Sequence, residues 1–150
     1  MTKFCAFSFA LLLACTPDRS DDPIPIAVFE EFTISLSLPE NNSISYDGGA
    51  KYLTYSPNNG KSVGVRGLII YRKNPSSYLV FERNCSYRPN EACATVNIDV
   101  SGLFMVDSCC GSTFNFSDGS PSRGIAWRSL RQYKTVLKNR SLTVSSDIAN

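Results

Sequence analysis

The sequence predicts an all-β domain. Apolar residues recur with a two-residue period or in short runs, turn chemistry separates these runs, and no long stretch has clean helical periodicity. Ahead of the domain stands a different kind of segment. Lys3 is followed by an apolar stretch from Phe4 to Leu13 and then Ala14-Cys15. That is the basic, apolar and small-residue layout of a secretion signal. The stretch is about half of the roughly 20 residues a membrane-spanning helix needs. Leu11-Leu12-Leu13-Ala14-Cys15 is a lipobox, so residues 1–14 are expected to be cleaved and Cys15 to be acylated. Residues 15–25 then read as a flexible tether. Positions 16–25 hold three Asp and three Pro, which cannot bury apolar area.

Residues 26–150 form the predicted domain, taken strand by strand. Phe32, Ile34, Leu36 and Leu38 alternate with Thr33, Ser35 and Ser37, and Pro39 ends that strand. Asn41-Asn42-Ser43 and Asp47-Gly48-Gly49 are loop and turn sequences. Tyr52, Leu53 and Tyr55 suggest a short strand. Gly67 to Arg72 reads as a buried strand, Asn74-Pro75-Ser76-Ser77 as a turn, and Tyr78 to Glu82 as the returning partner. Ala94–Ile98 and Leu103–Val106 are two further short strands joined around Ser101-Gly102. Thr113 to Phe116 leads into Asp118-Gly119, a tight-turn pair because Gly accepts positive φ. Tyr133–Leu137 and Ser141–Val144 close the domain as a last hairpin.

Charge narrows the partners. Without Lys3 the chain keeps fourteen basic and thirteen acidic side chains, a balance that argues against electrostatic capture of nucleic acid. Arg123, Arg128, Arg131, Lys134, Lys138 and Arg140 enrich the C-terminal third and read as a solvated face. The chain contains no His, which removes the usual general base and the commonest nitrogen metal ligand.

Six Cys are present, but Cys5 leaves with the signal and Cys15 carries lipid. Cys85, Cys93, Cys109 and Cys110 remain, an even set in an exported domain, which favours disulfides. Pairing the neighbours Cys109 and Cys110 would close a strained ring. Two schemes of cross-links between the 85–93 and 109–110 loops are left. Each bond would contribute roughly 3 kcal/mol in the chain-entropy picture. A Cys₄ zinc site is not expected, because adjacent Cys109 and Cys110 chelate one ion awkwardly and there is no Cys-x-x-Cys.

From about residue 65 to 145 the chain resembles the Rieske [2Fe–2S] domains. Cys85-Ser86-Tyr87 falls where the first Cys-x-His box belongs. Asp107-Ser108-Cys109-Cys110-Gly111-Ser112-Thr113-Phe114 falls on the second, followed by a similar tail through Gly119, Gly124-Ile125-Ala126, Leu130 and Tyr133. The resemblance implies an antiparallel β-sandwich or small barrel whose two tip loops carry the ligands. A Rieske cluster takes Cys₂ on one iron and His₂ on the other. Carried over position by position, the ligand places are Cys85, Tyr87, Asp107 and Cys110, so one keeps its identity. The cluster is therefore expected to be lost, with no metal in its place and with Tyr87 and Asp107 released from a metal role. Cys109 matches a position that in some members forms a disulfide between the loops. The resemblance thus implies Cys93–Cys109 with Cys85–Cys110 as the favoured scheme, Cys85–Cys109 with Cys93–Cys110 being the other.

The sequence names no reaction. It leads to the expectation of a lipid-anchored protein of the bacterial cell envelope, with an outer membrane as the expected host. Its cluster-free Rieske-like domain would act as a structural or interaction module, with another envelope protein as the expected partner, rather than as an enzyme. The alternative is a redox protein with an atypical [2Fe–2S] site or a reactive Cys pair.

Overall fold

In the computed structural model, residues 22–150 are described. The signal, Cys15 and residues 16–21 of the tether lie outside them. Among the described residues ten strands make two antiparallel sheets. The strands are β1 (Phe32–Ser35), β2 (Ala50–Leu53), β3 (Leu68–Asn74), β4 (Ser77–Glu82), β5 (Val96–Ile98), β6 (Met105–Asp107), β7 (Ser112–Phe114), β8 (Pro121–Arg123), β9 (Gln132–Lys138) and β10 (Ser141–Ile148). The larger sheet runs β1-β10-β9-β4-β3-β2 and curls into a half-barrel; the smaller runs β5-β6-β7-β8. The fold is all-β. Among the described residues no helix is long and apolar enough to cross a membrane.

β3 and β4 explain why both sheets share one domain. Leu68 and Ile70 of β3, with Tyr78 and Val80 of β4, face a first core that also holds Phe32, Ile44, Tyr133 and Leu142. Ile69 and Phe81 point the other way, into a second core with Val96, Met105, Phe114 and Leu130. A strand buried on both faces needs an uninterrupted apolar run, and Leu68-Ile69-Ile70 supplies it. The last hairpin turns at Asn139 and Arg140, both at positive φ, the backbone that joins twisted strands in two residues.

Several segments differ from the sequence reading. β1 stops at Ser35 rather than Leu38, and Pro39–Ile44 is a 3-10 helix where a loop was expected. Pro39 presets the first helical φ, and the Asn41 side chain donates to Ser35 O at 2.8 Å, closing the segment over the strand end. β8 begins at Pro121, which has no N–H to give and so sits at the start of an edge strand. Residues 22–24, expected to be mobile tether, are tied to the domain. Arg128 donates to Asp22 O and Arg131 to Ile24 O, each at 2.8 Å.

Candidate functional site

The two tip loops grow from neighbouring strands. The first runs from the end of β4 to β5 and carries Cys85, Tyr87 and Cys93; the second, between β6 and β7, carries Cys109 and Cys110. Asp107 is the last residue of β6, paired with Val96 and Ser112 on either side, so its place is fixed by two ladders.

Cys93 and Cys109 are bonded, S–S 2.00 Å, and join the loops covalently. Cys85 and Cys110 are thiols with their sulfurs 3.9 Å apart. The second cross-link of the favoured scheme is thus not formed, because that separation is a contact and not the roughly 2.05 Å of a disulfide. The other scheme is excluded by the same bond.

Cys85 does not lie in open loop. It belongs to the second core and is fully buried, as is Asp107. The Asp107 carboxylate accepts from Cys109 N–H at 2.8 Å through one oxygen and from the Cys110 thiol at 3.4 Å through the other. Cys85 Sγ accepts from Tyr87 N–H at 3.5 Å. Burial, then the Asp107 side chain and its charge, push the Cys85 thiol far above its ordinary range. The donor atoms of Cys85, Asp107 and Cys110 all lie within 4.8 Å of one another. Tyr87 is also buried, at 7% exposure. Tyr87 stands in the first tip loop, as the sequence suggested, whereas Asp107 is not a loop residue but the end of strand β6.

The residues present do not fit a [2Fe–2S] cluster. Imidazole is missing, and Cys85 and Cys110, which would sit on different irons, touch each other.

A polar scaffold that the sequence reading missed supports the loops. Glu82, fully buried at the end of β4, accepts from Val65 N–H at 2.8 Å, Arg66 N–H at 3.1 Å, Asn84 N–H at 3.0 Å and Tyr133 O–H at 2.8 Å. Arg66 then spreads its guanidinium over the first tip loop, donating to Asn84 Oδ1, Glu91 O, Ala92 O and Thr95 Oγ1. On the far side Arg128 donates to Ser86 O and Ser86 Oγ donates to Arg128 O, both at 2.6 Å. Arg128 and Arg131 are therefore not part of a free solvated face. The one available signal was a charge, Glu82, ending an otherwise apolar strand.

The second loop rests on Ser112. Its Oγ accepts from Ile125 and Ala126 N–H at 3.1 and 2.9 Å. A Cβ at Gly124, where φ is +94°, would stand 2.5 Å from Ser112 Cα. Only glycine allows that approach.

No protein-family model matches this chain, and no curated protein matches it in sequence. A solved structure similar to it is a chain in the complex of reduced oxygenase and oxidized ferredoxin in carbazole 1,9a-dioxygenase. The two are 17% identical over 72% of this chain and 92% of that one, with a TM-score of 0.47.

Proposed function

We propose that this protein is a lipid-tethered component of the bacterial cell envelope whose Rieske-like domain carries no iron–sulfur cluster and serves as a structural or interaction module. The observation that carries the reading is the Cys93–Cys109 bond between the two tip loops. Such bonds persist in oxidising compartments, which agrees with the export signal ending at Cys15. In this reading the covalent link does the loop-pinning work that a cluster does in a Rieske domain. The domain then offers a rigid tip to a neighbouring envelope protein, with no role for nucleic acid.

A redox role for Cys85 and Cys110 is the second reading, favoured by their 3.9 Å contact. Against it, a reactive cysteine needs a lowered thiol pKa, and burial raises that of Cys85.

The test is expression of the full chain in a Gram-negative host with labelled fatty acid. Label on the wild-type protein, its recovery with membranes, and loss of both in Cys15→Ser are the expected results. Unlabelled protein in the soluble fraction would refute the tether. Visible-range absorption with stoichiometric iron would refute the cluster-free domain.

A further inference from the structure

The disulfide consumes two of the four sulfurs and leaves an unusual remainder. Cys85, Cys110 and Asp107 converge from two loops on one spot, and no lysine or arginine forms an ion pair with Asp107 among the described residues. A buried carboxylate is held by a full set of N–H and O–H donors, as Glu82 is, by a cation, or by a metal. Here its partners are one backbone N–H and thiols.

The separations are those of ligands on one ion. Two thiolates on a tetrahedral zinc, each about 2.3 Å from it, stand about 3.8 Å apart, and a thiolate and a carboxylate oxygen about 3.6 Å apart. The structure has 3.9 Å between the sulfurs and 3.4 Å from Cys110 Sγ to Asp107 Oδ2. Outer contacts are also in place. Cys109 N–H holds Asp107 Oδ1 and so turns Oδ2 toward the sulfurs, while Tyr87 N–H points at Cys85 Sγ. Cys110 alone of the three is partly exposed, which gives an ion and a fourth, water ligand a side to enter from.

We infer that Cys85, Cys110 and Asp107 form a mononuclear site for a thiophilic divalent cation of the zinc class. The expectation against zinc took all four cysteines as one ligand set. The fold instead removes Cys93 and Cys109 and brings in Asp107. Binding releases the thiol protons to solvent and leaves two thiolates and a carboxylate on the ion, with no change of oxidation state. The site pins the loops at a second point and does not depend on the lipid tether.

The experiment uses the full chain, stripped with chelator and then titrated with zinc and, separately, cobalt(II). One ion per chain is expected, with thiolate-to-cobalt charge transfer and the strong visible bands of a tetrahedral ion. Cys110→Ser and Asp107→Asn should each weaken zinc by upwards of about 100-fold, beyond what loss of a supporting contact costs. Glu91→Gln, beside the disulfide, should leave binding unchanged. Near-ultraviolet circular dichroism checks that each variant is folded. If Asp107→Asn does not fold, the half-buried Cys110→Ser decides alone. No stoichiometric binding, binding indifferent to Cys110→Ser, a cobalt spectrum without thiolate character, or a Cys85–Cys110 disulfide in the untreated protein would each overturn the site. None of these results bears on acylation at Cys15, so the two proposals fail separately.

Discussion

Tyr133 of β9 donates its phenolic proton to Glu82 of β4 at 2.8 Å, joining two strands through a buried carboxylate. The same carboxylate gathers Val65, Arg66 and Asn84 N–H groups. All four acceptor positions of the ion are thereby used. Three of those contacts cross to the 64–67 loop or the sheet, and one enters the tip loop. Glu82 is therefore where the frame of the larger sheet meets the candidate site.

Glu82→Gln keeps the volume but replaces an acceptor-only group with one that carries two donors. Two of the four donors then face an N–H₂ and lose their partner. The expected loss of stability is about 3 kcal/mol, read from the denaturant midpoint with the slope unchanged. A loss below about 1 kcal/mol would mean that water replaces the lost contacts and that the carboxylate is not sealed.

Tyr133 gives a pH dependence with a definite sign. Burial, then the Glu82 charge beside it, hold its phenol above the ordinary value. Below the unfolded pKa of about 10 both states keep the proton and the contribution is complete. Above it the unfolded chain releases the proton while the folded one holds it. Stability then falls as pH rises, by up to about 1.4 kcal/mol per unit. Tyr133→Phe should lower stability at neutral pH yet flatten this alkaline decline. Equal slopes in the two proteins would remove Tyr133 as the cause.

The Cys93–Cys109 bond spans 16 positions. Closing a loop of that length contributes about 3 kcal/mol through the unfolded chain. The double variant Cys93→Ser/Cys109→Ser should lose about that much and keep the strand pairing of β3 with β4. A circular dichroism spectrum without the β signature would show that the bond is needed for folding itself.

Much of this was legible in local sequence. The apolar run at Leu68-Ile69-Ile70 and its turn at Asn74 marked β3 and β4, although the ladder extends two residues past Arg72. The Cys spacing marked the two tip loops. What stayed hidden depends on distant partners. Arg66 lies 25 positions from Glu91, and Tyr133 lies 51 from Glu82. The meeting of Asp107 and Cys110 with Cys85 is different, because the Rieske resemblance already placed all three at one site. The place of Glu82 at the end of an apolar run is a local signal of burial, but nothing local names its partners.

Arg66 supplies the last prediction, because it carries order from Glu82 into the first tip loop. Its backbone N–H is held by Glu82, and its guanidinium fork reaches four acceptors between Asn84 and Thr95. A lysine keeps the charge but offers one compact ammonium, which cannot span that set. In Arg66→Lys the amides of Cys85, Glu91 and Ala94, which bond within the loop, should exchange with solvent faster than in the wild type. Those of Ile69 and Val80 in the large sheet should not change. The disulfide still closes the loop, so the effect is a local loosening and not unfolding. Faster exchange everywhere would make Arg66 a determinant of global stability. Unchanged exchange in the loop would show that the disulfide alone holds it.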